Sequence, residues 1–241
     1  QCLAELVETP SEFTGANMAA VSDLTLQVLR DLELGVERHA ISPDAPGLLA
    51  GVNNLVVRQL FSAGPVVALV AHGDTHPATG NWSLEPHTPT IRDGVFYGLG
   101  ALSKADIAVY AYALAALRDV RPELSGTVEL HITFDGEADG QWGTKWLLDN
   151  SIVNPDYAVG SGLAYAIGTS SVGDLQMQVE IEPLATHPFA DPMEAASRIL
   201  DSLYQLRATY AGICSDVPGI GSPSLVVGQI NGGERPDRTP G

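Results

Sequence analysis

Val66-Val67-Ala68-Leu69-Val70-Ala71-His72-Gly73-Asp74-Thr75-His76 is the stretch whose reading decides the fold. Six consecutive apolar residues, three of them β-branched, predict a strand buried on both faces, and the polar cluster that follows marks its end. His72 and Asp74 therefore stand at the carboxyl end of a strand, where open α/β sheets bind ligands, and residues two apart on an extended backbone point the same way. A neutral imidazole can ligate a metal while a nearby carboxylate holds its other ring nitrogen. An ordinary hydrogen-bonded loop histidine explains the same three residues, and His-x-Asp alone does not separate the two.

Working outward, apolar residues at helical spacing (Met18, Val21, Leu24, Val28, Leu32) predict a helix over 16–34 that stops at Gly35, after a short one over 3–7. Short strands are expected over 36–41 and 52–60. Beyond the central strand, a polar loop with Trp82 and His87 leads to a strand over 91–97 carrying an Asp93-Gly94 turn signal. Gly98-Leu99-Gly100-Ala101 opens a helix from about Ser103 to Val120; the third glycine of a dinucleotide fingerprint is absent, since Ser103 occupies its place. Residues 127–134 alternate, with Thr127, Glu129, His131 and Thr133 on an expected solvated face. Asp135-Gly136-Glu137-Ala138-Asp139-Gly140 ends that strand as a second polar cluster. A helix over 141–150 and extended pieces over 156–167 complete the alternation, which predicts an α/β domain with a mostly parallel sheet flanked by helices. The pattern changes after Gly173: strands are expected over 175–181 and 224–230, around a helix starting at Asp191-Pro192-Met193-Glu194 and ending near Gly212. One strand, one helix and one strand do not enclose a core, so this second unit reads as unfinished.

The chain has 241 residues, 45% of them hydrophobic, enough for a sizeable core, with a net charge of -17. An acidic surface repels phosphate backbones, so nucleic acid is not an expected partner. No apolar run reaches the length of a membrane span, and the N-terminus lacks a signal-peptide layout, so a cytoplasmic protein with no membrane partner is the expectation. Cys2 and Cys214 read as ordinary thiols.

His72-Gly73-Asp74, the Trp82 loop, Gly98-Leu99-Gly100-Ala101 and Phe134-Asp135-Gly136-Glu137-Ala138-Asp139-Gly140 follow one another at spacings that resemble the zinc-dependent metallopeptidases of the aminoacylase, acetylornithine deacetylase, succinyl-diaminopimelate desuccinylase and glutamate carboxypeptidase family. His187 and Ile230-Asn231-Gly232-Gly233 resemble that family's inserted lid and dimerisation domain. The resemblance implies an incomplete catalytic domain over 1–172 and a partial α+β lid over 173–241. It also implies two zinc ions bridged by an aspartate and a water, with cobalt or manganese as alternatives, and a glutamate as general base. His72 matches the first metal ligand, Asp74 the carboxylate that holds it, and Glu137 a metal-binding glutamate. His187 matches the histidine that crosses the dimer to stabilise the oxyanion of the tetrahedral intermediate; a loop histidine beside a proline remains the other reading.

Four departures stand beside the match. Gly136 occupies the general-base position, and Ser103 that of the bridging aspartate. The nearest acid is Asp106, which is either a metal ligand or the acid of a Ser103–Asp106 capping box. Gly160-Ser161-Gly162 stands where a further metal carboxylate belongs, and the family's last histidine ligand comes from a segment beyond this sequence. His76, His87 and His131 read as surface residues, Trp82 as loop packing, and Asp135 and Asp139 as minor alternative ligands. The expectation is a metal-dependent hydrolase of amide bonds in N-acyl amino acids or short peptides, homodimeric, holding one zinc or none and impaired in turnover. The competing expectation is a non-catalytic binding or association module.

Overall fold

The structure is a computed structural model that describes residues 1–13, 18–120, 123–138, 140–160, 162, 167–182 and 191–232. The chain divides into two compact units, Gln1–Leu163 and Ala164–Gly241.

In the first unit, helices α1 (Cys2–Glu8) and α2 (Met18–Asp31) precede strands β1 (Val36–Ala40), β2 (Asn53–Ser62) and β3 (Val66–His72). A hairpin, β4 (Thr90–Arg92) and β5 (Val95–Tyr97), turns at Asp93-Gly94 where the sequence signals it. Helix α3 (Ala101–Val120), strand β6 (Gly126–Thr133), helix α4 (Thr144–Asp149) and strand β7 (Tyr157–Gly160) follow. The α/β class is as expected. The five-stranded sheet runs β1-β2-β6-β3-β7 and is mixed: β6 and β7 lie parallel to β3, whereas β1–β2 and β2–β6 are antiparallel. It is therefore less parallel than the sequence implies, because β1 and β2 form a hairpin-like pair and β6 inserts between β2 and β3 instead of beside them.

Register explains the layering. Leu55, Val57, Leu69, Ala71, Leu130 and Ile132 share one face, where Leu6, Met18, Val21, Leu29, Ile107 and Leu114 of α1 to α3 close the main core. Fully burying such side chains is worth roughly 1.5–3 kcal/mol each. The opposite face carries Val56, Arg58, Glu129, His131, Val70 and His72. Here the expected solvated face of β6 is corrected. Leu147 of α4 and Val153 pack on Val56, and Glu129 and His131 are buried. Buried polar groups require partners. His131 Nε2 lies 2.7 Å from Glu129 Oε2, and Arg58 Nε donates to Glu129 Oε1 at 2.8 Å. Conversely β3, expected to be buried on both faces, is only partly covered.

Helix α3 starts two residues before the expected Ser103. Gly100 adopts φ +73°, and a Cβ there would lie 2.4 Å from Thr75 Cγ2, so the sharp entry requires glycine. Ser103 Oγ turns back toward Gly100 O at 3.4 Å, and no acid lies in the first turn. The capping-box reading of Ser103–Asp106 fails because both residues sit inside the helix. Lys104 is buried: Nζ donates to Leu6 O at 2.7 Å and Thr9 O at 2.9 Å, satisfying carbonyls at the end of α1. Burial pulls its pKa down to about 8, against the charges of Glu12 and Asp74.

In the second unit the described residues hold helix α5 (Pro192–Tyr210), started as expected by Asp191 Oδ1 accepting from Met193 N at 2.9 Å. The strands expected over 175–181 and 224–230 are not formed among the described residues. Alternation makes a strand only where a neighbour takes its backbone hydrogen bonds, and neither segment has one there. No helix among the described residues is long and apolar enough to cross a membrane.

Candidate active site

Where β3 and β6 end, the ladder runs on for one residue, with Gly73 N donating to Thr133 O at 2.9 Å. The segment beyond is pinned from its other side. Ser11 Oγ donates to Gly73 O at 2.7 Å, Thr75 N to Ser11 O at 2.9 Å and Phe13 N to Thr75 O at 2.9 Å. The extended backbone continues the alternation through His72, Asp74 and His76.

Asp74 is the centre of the site. Its side chain is fully buried, and its carboxylate accepts Gly136 N–H at 2.9 Å and Glu137 N–H at 2.7 Å. His72 Nδ1 stands 3.1 Å from Asp74 Oδ1. One carboxylate thus orients the imidazole and fastens the loop after β6 to the loop after β3. With Nδ1 so held, His72 Nε2 is the ring nitrogen left to face outward. Burial works against protonation of His72, but its hydrogen bond to Asp74, the charge of Asp74 and that of Glu137 outweigh it and raise the pKa.

Gly136 is pressed against the same ring. A Cβ at this position would lie 2.4 Å from His72 Cγ, 2.7 Å from its Cβ and 2.8 Å from Nδ1. Glu137, next along, turns its carboxylate to His76, whose Nε2 is 2.8 Å from Oε2. Asp135 is a structural acid: it is buried, with Oδ2 accepting from Trp142 N at 2.7 Å and Gly143 N at 2.9 Å and its carbonyl accepting from Ala138 and Gly140. His72, Thr133, Gly136, Ala138, Thr144 and Gly160 line an open cleft of about 470 Å³ at the carboxyl ends of β3, β6 and β7. That volume is in the range of small-molecule sites.

The structure thus brings Asp74, His72 and Glu137 together. Asp106 lies half-buried on α3, where burial and then the charge of Asp106 raise the Tyr110 hydroxyl pKa. His187 and Asp139 lie outside the described residues. Among the described residues no three histidine, cysteine, aspartate or glutamate side chains gather into a group able to hold a metal ion. Zinc sites want at least three protein ligands, so these side chains as arranged do not fit the family's metal centre. Trp82 is exposed and donates to Thr79 O at 3.2 Å within its own loop. His87 lies 3.0 Å from Glu12.

Sequence reasoning missed the pairing of His76 with Glu137. The available signal was its place two residues beyond Asp74, on the same alternation as His72.

Residues 68–231 match the description "Peptidase family M20/M25/M40", and the chain belongs to that family of metallopeptidases and deacylases. Among its relatives, the succinyl-diaminopimelate desuccinylase of Zymomonas mobilis is 33% identical over 177 residues, covering 67% of this chain and 44% of the relative. That of Sulfurimonas denitrificans is 36% identical over 114 residues, covering 45% and 30%. The chain spans less than half the length of either. In fold it is similar to the M20 family metallo-carboxypeptidase Sso-CP2 of Sulfolobus solfataricus (TM-score 0.55, 21% identity, 66% of this chain and 36% of that one). Human carnosine dipeptidase 1 gives a TM-score of 0.55 at 20% identity, over 66% of this chain and 37% of that one.

Proposed function

We propose that this chain carries the catalytic-domain portion of a metal-dependent hydrolase acting on the amide bond of N-acyl amino acids or short peptides, in a form impaired in turnover. Residues 1–172 form that portion and 173–241 a partial lid through which two copies associate in the cytoplasm. The acyl-amide substrate class rests on the family and on the name of the desuccinylase relatives. The family resemblance assigns zinc to His72, Glu137 and Asp106, with Asp74 orienting His72 and His187 as a candidate oxyanion donor, although among the described residues these ligands do not gather into a metal site as they stand. Cobalt and manganese are the alternative ions.

The observation that carries the impairment is Gly136. The residue before Glu137, where the family resemblance puts the general base, has no room for a side chain while His72 keeps its hydrogen bond to Asp74. A positioned base contributes roughly 10²- to 10⁴-fold, so its loss is a large handicap. The same observation favours a binding role for the cleft, because Asp74 keeps His72 and Glu137 ordered whether or not a bond is cut. Hydrolysis of acetylated and succinylated amino acids, with and without added zinc, tests the proposal: no turnover is expected. Zinc-dependent turnover that disappears in His72→Ala would refute the impairment.

A further inference from the structure

The cleft at the ends of β3, β6 and β7 offers an anion no counter-charge. Val70, Ala138 and Gly160 contribute small apolar walls, Thr133 and Thr144 add neutral hydroxyl groups, and His72 is the one ionisable side chain among the described lining residues. That ring has its own carboxylate, Asp74 Oδ1 at 3.1 Å, and the charge of Glu137 also acts on it. A protonated imidazole is therefore already balanced, and a neutral one leaves Asp74 negative. Cations on the surrounding elements are committed elsewhere. Arg58, on the same face of the sheet, binds Glu37, Glu129 (Nε to Oε1, 2.8 Å) and Ile152 O. Lys145, next to Thr144, pairs with Asp149 one turn along α4, and the buried Lys104 donates to Leu6 O and Thr9 O. A net charge of -17 adds long-range repulsion.

We propose that the cleft selects acyl groups by charge: it takes short uncharged chains, acetyl to butyryl, and rejects succinyl, whose free carboxylate would meet apolar walls and no cation. This selection deepens the proposed function and rests on its acyl-amide reading. A carboxylate that enters such a wall gives up water without a partner in exchange, and an unpaired charge is a strong means of discrimination. The desuccinylase relatives are named for a succinyl group. The lining described here lacks what would hold one.

Titration of the full chain with the N-butyryl, N-succinyl and N-succinamoyl derivatives of glycine N-methylamide, followed by NMR at one fixed pH without added metal, tests this. The succinamoyl compound has the succinyl length with an amide in place of the carboxylate, so it separates charge from size. The butyryl compound should bind at least about ten-fold more tightly than the succinyl one, with the succinamoyl compound also ahead of succinyl. Gly160→Arg puts a cation into the lining at a position where a Cβ has nothing within 4 Å, and should raise succinyl to at least the butyryl affinity. Equal or tighter binding of succinyl by the parent, a succinamoyl affinity as low as succinyl's, binding of none of the three, or no gain for succinyl in Gly160→Arg overturns the proposal. The acyl-amide reading fails separately, if 1-hexanol, which has no amide, binds as tightly as the butyryl compound while succinyl is still rejected.

Discussion

Restoring an acid before Glu137 is the obvious repair, and the structure says it fails for a steric reason. A Cβ on residue 136 lies 2.4 Å from His72 Cγ, where ordinary contact begins near 3.4 Å, so the imidazole must retreat by about 1 Å. At 3.1 Å the His72–Asp74 hydrogen bond has no slack for that retreat. Overpacking of this kind costs roughly 1–3 kcal/mol and a lost hydrogen bond about 0.5–1.5 kcal/mol, so Gly136→Glu should destabilise the chain by roughly 2–4 kcal/mol. Urea denaturation of parent, Gly136→Glu, His72→Ala and the double variant measures it. If the ring is the obstacle, Gly136→Glu costs at least 1 kcal/mol less in the His72→Ala background, as expected for residues in contact. Amide hydrolysis stays absent in Gly136→Glu, because the new carboxylate arrives as the imidazole leaves. Equal destabilisation in both backgrounds, or turnover in Gly136→Glu, would refute the reasoning.

Asp74→Ala strands the N–H groups of Gly136 and Glu137 and releases His72, and should cost roughly 3–6 kcal/mol by chemical denaturation. Asp74→Asn keeps one acceptor oxygen and should cost less, and a loss below about 1 kcal/mol in Asp74→Ala would contradict its central place. His131 provides a pH test. Burial, opposed by Glu129, lowers its pKa below the ordinary 6.5, so the unfolded chain binds the proton first. The resulting stability is complete above pH 6.5 and is lost as the pH falls toward the folded-state pKa. Denaturation midpoints of the parent should therefore drop more between neutral and mildly acid pH than those of His131→Gln; parallel curves would show that His131 does not sense the burial assigned to it.

The parts of the fold legible in the sequence are those where one element carries its own signal. The apolar run before His72, the glycines before α3 and the Asp191-Pro192 start of α5 fix strand, turn and helix locally, and each element forms where it is expected or within two residues. What the sequence could not show depends on which distant segment lies on top. Alternation over 127–134 announces a polar face on β6 but not that α4 and Val153 will cover it, so His131 reads as surface and is buried. Nothing in the sequence singles out Lys104, because only the fold brings the end of α1 to its ammonium. The pair His72 and Asp74 was legible as a unit; that Gly136 is packed against their ring was not, since the contact joins residues 64 apart in number. The alternating segments 175–181 and 224–230 show the converse, a local pattern with no described neighbour to complete it.

The position of β6 between β2 and β3 has a consequence for how the molecule is made. β2 and β3 follow each other almost directly in the chain, yet neither bonds to the other, and both wait for a strand that begins sixty residues after Val66. At 5–20 residues per second a ribosome takes roughly 3–12 s to deliver it. Throughout that interval β2 bears an open edge and β3, the most apolar strand, is open on both sides, since β7 also comes later, and open edges are templates for pairing with other chains. Arrival of β6 closes the facing edges of β2 and β3 and in the same event brings Glu137 to Asp74, leaving the far edge of β3 for β7. Closing the gap between β2 and β3 and joining Glu137 to Asp74 are therefore one step of synthesis.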